Sequence, residues 1–165
     1  MYSKIKKAIL KVLRIFLIIV LWGMCIDVFL GVIFRFIIKK PLVWAEEYAL
    51  ISMVWMAFIG ASVGYEANSH LGVDLLLLVL PNTPKKIVEI LTEIMVMPFF
   101  IALIVGGAIM VNTTKGSITP ALNISVAFQY APALVGGVLL LWFNIEKLII
   151  KVKNFKNDEI VNVNN

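Results

Sequence analysis

Residues 94–114 read IMVMPFFIALIVGGAIMVNTT, with no charged side chain between Glu93 and Lys115. The hydrocarbon core of a bilayer is about 30 Å thick and takes roughly 20 apolar residues to cross as an α-helix. This run meets that length, and the rest of the chain repeats the pattern. Arg14 and Arg35 enclose an apolar stretch broken only by Asp27. Glu47 and Glu66 enclose another, over 48–65. Lys115 and Glu146 enclose the longest, whose helical part is expected to begin near Ser125 and end near Ile145. The spacing therefore predicts an all-α integral membrane protein with four transmembrane helices, over about 14–37, 45–66, 91–112 and 125–146.

Composition agrees with this reading. The 165 residues are 61% hydrophobic and 15% charged, and the mean hydropathy is +0.98. Soluble domains lie near about 45–50% apolar and about 25% charged. Intrinsic disorder, collagen and a disulfide-rich scaffold are excluded on the same grounds. One cysteine, Cys25, permits no internal disulfide. A net charge of +5 could suggest nucleic acid, but in a membrane protein Lys and Arg hold the cytoplasmic side. No nucleic-acid partner is expected; the lipid bilayer is.

The run 71–80 is too short to span. It is bounded by His70 and Pro81 and interrupted by Gly72 and Asp74. About ten helical residues rise only about 15 Å, so a short interfacial helical segment is predicted over 70–81. Thr83-Pro84 then reads as a helix start, with Thr83 as N-cap. Two amphipathic turns carrying Lys85, Glu89 and Glu93 on one face are expected to precede the third span. Orientation follows from the cations. The N-terminal stretch (Lys4, Lys6, Lys7, Lys11, Arg14), the middle connection (Lys85, Lys86) and the tail (Lys147, Lys151, Lys153, Lys156) hold most of them. The first and third connections hold only Arg35, Lys39, Lys40 and Lys115. Both termini are thus expected in the cytoplasm. Residues 1–153 form a single four-helix membrane domain in this reading, and 154–165 a polar, Asn-rich cytoplasmic tail that frays. The basic N-terminus before 15–26 imitates a signal peptide. Asp27, the lack of an A-x-A-like cleavage site and the three later spans make it a retained helix. No internal repeat is found: Gly106-Gly107 and Gly136-Gly137 stand at different distances from Pro98 and Pro132.

Polar residues inside the spans are few, so each is a candidate. Asp27 lies in the first helix, where a carboxylate costs roughly 2.5–3.5 kcal/mol to insert, and it should face protein rather than lipid. Gly23, Asp27, Gly31 and Arg35 recur every four residues and form one stripe. Asp27 could serve an ion or proton relay, but a relay usually needs several intramembrane carboxylates or His, so a packing stripe with one polar tie is the preferred reading. Trp44 and Tyr48 suit the headgroup layer, and Glu46 and Glu47 sit where the helix dipole favours carboxylates. Either glutamate could instead pair with Arg35 or with a partner chain. Ala57, Gly60, Ala61 and Gly64 line one face of the second helix and would let a neighbour approach closely. Glu66, His70 and Asp74 have a four-residue spacing that imitates a metal row, but Asn68-Ser69 and Gly72 weaken any continuous helix. A polar turn at the interface is the favoured reading, and no metal is expected. Pro98 and Pro132 read as simple helix kinks. There is no Gly-rich phosphate loop ending in Lys-Ser/Thr, no C-x-x-C and no H-E-x-x-H. No catalytic residue and no cofactor are expected.

Together these motifs resemble those of the small permease subunit of tripartite ATP-independent periplasmic (TRAP) transporters. The family pattern is an Arg-aromatic pair closing the first helix, a Pro, Trp-x-x-Glu opening the second, a Gly-Ala within it, then a His and a Val-Asp. Here these are Arg35-Phe36, Pro41, Trp44 with Glu47, Gly60-Ala61, and His70 with Val73-Asp74; Leu71-Gly72 stands between the last two. Pro120-Ala121-Leu122-Asn123-Ile124, then Tyr130 and Pro132, fit the later part. The resemblance implies a bacterial inner-membrane subunit in a stable heterodimer with a large TRAP membrane subunit. That subunit holds the sodium and substrate sites. A periplasmic substrate-binding protein captures an organic acid, such as sialic acid or a C4-dicarboxylate, and docks transiently. The small subunit supports the large one and adds to the docking surface, here expected at 39–44 and 115–123, with Lys39, Lys40, Lys115 and Asn123. Two other classes compete. A self-contained four-helix ion or drug transporter would use Asp27, and a membrane enzyme would have to use Glu66, His70 and Asp74.

Overall fold

The computed structural model describes residues 2–67 and 82–163, and within them the side chains of 4–67 and 88–153. Four helices account for nearly all of it: α1 (Tyr2–Phe36), α2 (Val43–Glu66), α3 (Asn82–Thr114) and α4 (Ala127–Val163). All four contain a stretch long and apolar enough to cross a membrane: Lys4–Phe36, Val43–Glu66, Val88–Thr114 and Ala127–Lys153. The fold is all-α, as expected. The predicted interfacial segment 70–81 lies outside the described residues.

Three helices outrun the bilayer. At about 1.5 Å per residue the 35 residues of α1 span about 52 Å and the 37 of α4 about 56 Å. α1 is helical from Tyr2 rather than from about 14, because its basic turns carry apolar residues on one side and Leu10 is buried. The tail expected to fray continues α4 to Val163. α3 is already helical at Asn82, which places Pro84 inside the first turn, where a proline costs no hydrogen bond. Pro98 and Pro132 lie within continuous helices.

The helices form a row in the order α1, α2, α4, α3, since the substantial contacts are α1 with α2, α2 with α4, and α4 with α3. Small residues set the spacing between α3 and α4. A Cβ on Gly107 would meet the Leu134 backbone nitrogen at 2.7 Å, and one on Gly137 would meet Ile104 Cγ1 at 3.0 Å. One glycine of each pair serves this crossing, Gly107 against 133–134 and Gly137 against 103–104, whereas Gly106 has open space and Gly136 faces Phe58 of α2. Without a hydrophobic force between helices in lipid, such close approach and interhelical hydrogen bonds are what hold them. Ser62 Oγ lies 3.3 Å from the Gly136 carbonyl, sharing its single proton with the nearer Phe58 carbonyl, and Trp55 Nε1 donates to the Phe128 carbonyl at 3.2 Å.

Successive helices alternate in direction. Lys6 near the start of α1 bridges Glu66 at the end of α2 (3.1 Å) and Glu146 in the later half of α4 (2.8 Å). These residues, with the early part of α3, define the termini end. The connections 37–42 and 115–126 lie at the opposite, loop end.

Candidate functional site

At the loop end, α1 stops with a left-handed residue. Lys39 has φ 56°, and the Lys40 N–H reaches back to the Phe34 carbonyl at 3.0 Å. A left-handed residue beyond a helix end is usually glycine, and Pro41 follows this one. The second connection folds on itself: the Thr119 N–H bonds the Ile124 carbonyl (2.8 Å), the Val126 N–H bonds the Ser117 carbonyl (2.9 Å), and Asn123 takes φ 57° between them.

Glu47 ties the second connection to the start of α2. Its carboxylate accepts the Ala121 N–H at 3.0 Å through Oε1 and the Leu122 N–H at 2.9 Å through Oε2, and the Thr119 hydroxyl also donates to it. Glu47 therefore does not pair with Arg35. The helix dipole accounts for its place in the first turns of α2, whereas its partners lie 74 and 75 residues away, beyond the reach of local spacing. Arg35 is exposed and forms no ion pair within the described residues. Trp44, Lys39, Lys40, Lys115 and Asn123 are exposed as well, with Lys115 Nζ donating to Asn112 Oδ1 at 2.8 Å.

Between α1 and α2 runs a groove of about 530 Å³ lined by Asp27, Gly31, Arg35, Pro41, Ala45, Glu46 and their neighbours. Asp27 is 4% exposed, its Oδ1 has no hydrogen-bond partner, and Arg35 stands about 12 Å further along the helix axis. The Gly-Asp-Gly-Arg stripe divides in two. Gly23 packs against the Tyr48 hydroxyl, whereas Gly31 has open space where a Cβ would stand. On α2, Gly60 and Gly64 also have nothing within 4 Å of a built Cβ, and Ala57 and Ala61 are exposed. That small-residue face is uncovered by the described chain.

The termini end holds a polar cluster that linear spacing did not reveal. Glu93 is 3% exposed, and its carboxylate accepts hydrogen bonds from the Tyr65 hydroxyl, the Asn144 amide (Nδ2 to Oε2, 2.8 Å) and Lys151 (Nζ to Oε1, 2.8 Å). Asn144 Nδ2 also reaches Tyr65 Oη at 2.7 Å and the Glu93 carbonyl at 3.2 Å, and Lys147 bonds the Tyr65 carbonyl. Three helices meet in one network, with the Tyr65 ring edge-on to Phe100 at 5.4 Å. Glu93 belongs to this cluster rather than to a solvated face with Glu89. The available signal is Asn144, an amide that closes the otherwise apolar run 131–145. Of the imitated metal row only Glu66 lies within the described residues, where it pairs with Lys6; His70 and Asp74 lie outside them.

Gly60-Ala61-Ser62-Val63-Gly64 has the letters G-x-S-x-G of a hydrolase nucleophile elbow. That elbow needs a strained strand-to-helix turn with an exposed Ser. Here the pentapeptide is mid-helix, and the fully buried Ser62 donates to the Phe58 carbonyl at 2.8 Å.

Residues 24–154 match the family model described as Tripartite ATP-independent periplasmic transporters, DctQ component. A Haemophilus influenzae chain named as a TRAP transporter small permease protein is 27% identical over 84% of this chain and 86% of its own length. The C4-dicarboxylate TRAP transporter small permease protein of Vibrio cholerae is 32% identical over 51% of this chain and 36% of its own. A sialic acid TRAP transporter permease protein of Haemophilus influenzae is 25% identical over 74% of this chain, yet the matched stretch is only 20% of that relative.

Proposed function

The chain belongs to the DctQ component family of tripartite ATP-independent periplasmic transporters, and from that premise we propose that it is the supporting small subunit of a sodium-coupled organic-acid importer. The family is a transporter component, so the chain is a membrane protein of a transport system and not an enzyme. In this proposal it packs stably against a large permease subunit that carries the sodium and substrate sites. The uncovered face of Ala57, Gly60, Ala61 and Gly64 is the observation that carries the reading. Small residues let helix backbones approach, and no helix of the chain's described residues uses them. The sialic acid relative supports the same association, because its matching stretch is one fifth of a longer permease.

The loop end faces the periplasm in this reading and the termini end the cytoplasm, which the larger share of Lys and Arg at the termini end supports. Glu47 then shapes the docking side, since it fixes the turn over 119–122 on which a capture protein would rest. The cargo class is a carboxylate such as a C4-dicarboxylate or sialic acid, the cargoes named for the relatives.

Mild-detergent affinity purification, followed by reconstitution into liposomes, tests the proposal. It expects a much larger hydrophobic chain to co-purify, and sodium-dependent uptake only when both chains and a capture protein are present. Transport by this chain alone would favour a self-contained transporter working through Asp27. Arg35→Ala and Glu47→Ala together leaving assembly and uptake unchanged would remove both residues from the partner-facing site.

A further inference from the structure

The groove between α1 and α2 contains an unsatisfied group. Asp27 is 96% buried at its inner end, and Oδ1 lacks a hydrogen-bond donor. An unpartnered carboxylate is among the costliest groups to hold in a bilayer and normally pairs within protein. Arg35 is too far along the axis to reach it. The groove wall is otherwise apolar, with Val28, Val32 and Ala45 beside open space at Gly31, and Glu46 adds a second carboxylate at its edge. Two carboxylates against one guanidinium leave the groove acidic.

We propose that this groove receives the cationic side chain of a Lys or Arg from a transmembrane helix of the large permease, which ion-pairs with Asp27. The inference rests on the partnership stated above and names its polar contact. Charge complementarity selects the occupant. A Lys or Arg stem is apolar enough for the valine-lined wall and carries its donors at the tip. A phospholipid would bring acyl chains that donate nothing to Asp27, and a phosphate that Arg35 would hold near the groove edge, about 12 Å from that carboxylate. The site is also continuous with the uncovered face of α2: Glu46, Leu50, Met53, Ala57, Gly60 and Gly64 follow one another at intervals of three or four residues, along one side of the helix. One partner helix can cover both.

The test places a photoreactive benzoylphenylalanine at position 31, where a side chain has room, in the co-expressed two-chain complex. The expected cross-link falls on a membrane segment of the large permease within about one helical turn of a Lys or Arg. Asp27→Lys should then lower co-purified permease by about tenfold, since it sets like charges together, and changing that partner cation to Asp should restore at least half. Cross-links only to lipid, only to a second copy of this chain, or to a permease segment without a cation overturn the inference. So does recovery of full assembly by Asp27→Lys without the reciprocal change. Failure of the partnership itself reads differently: no large chain co-purifies with the unmodified protein.

Discussion

Replacing Asn144 with leucine, which keeps the branched four-heavy-atom shape but is bulkier, removes the amide that joins α2, α3 and α4. Nδ2 makes three contacts, at 2.7, 2.8 and 3.2 Å, but carries two hydrogens and so forms at most two full hydrogen bonds. Intramembrane side-chain hydrogen bonds average about 0.6 kcal/mol and reach about 1.7, which brackets the loss at about 1–3 kcal/mol. The substitution also removes Oδ1, a buried acceptor without a partner, and this relief holds the net loss to about 1–2 kcal/mol. The assay is reversible unfolding in mixed micelles by increasing SDS fraction, followed by far-UV circular dichroism. Tyr65→Phe keeps the ring against Phe100 and deletes only the hydroxyl, so the two changes form a double-mutant cycle. Sharing Glu93 predicts a coupling of at least about 0.5 kcal/mol. A loss from Asn144→Leu below about 0.5 kcal/mol, with the pair additive to within about 0.3, would refute the idea that this network locks the three helices.

Gly107→Ala should destabilise the chain by about 1–3 kcal/mol in the same assay, because its methyl meets the α4 backbone rather than a side chain that can turn away. Gly60→Leu should leave that stability unchanged and lower co-purified permease by about tenfold, as expected for a helix face that only a partner occupies. Glu47→Ala releases the N–H groups of Ala121 and Leu122; a spin label at Asn123 should become markedly more mobile, and Glu47→Gln should lie between. Lys6→Met leaves Glu66 and Glu146 facing each other and should cost about 1 kcal/mol at low ionic strength. The difference should shrink in about 0.5 M salt, measured by the same SDS titration.

The interior of each span is legible from composition alone, because the bilayer penalises charge so heavily that gaps between charges mark helices. Helix ends are another matter. Arg14 ends the uncharged run but not α1, which continues back through Lys11 and Lys7 to Tyr2 on its own backbone hydrogen bonds. Residue partnerships across helices were out of reach for the same reason in each case: they depend on register between segments far apart in sequence. Glu93 shares a four-residue spacing with Lys85 and Glu89, yet its partners come from α2 and α4. Glu47 sits where a dipole argument puts it, yet its hydrogen bonds go to a loop beyond α3. Ser62 shows the converse, a motif by letters that its position inside α2 empties of chemistry.

The order α1, α2, α4, α3 makes this chain a fence along most of its height, drawn together at the termini end by Tyr65–Glu93 and Lys6–Glu146. A fence has two broad flanks and hardly any inside, so lipid and a partner compete for the same apolar wall. Assembly then exchanges bound lipid for protein, with little apolar surface newly taken from water. The strength of the complex should accordingly follow membrane thickness and acyl packing. Detergents that mimic short chains should loosen the complex before they unfold the chain.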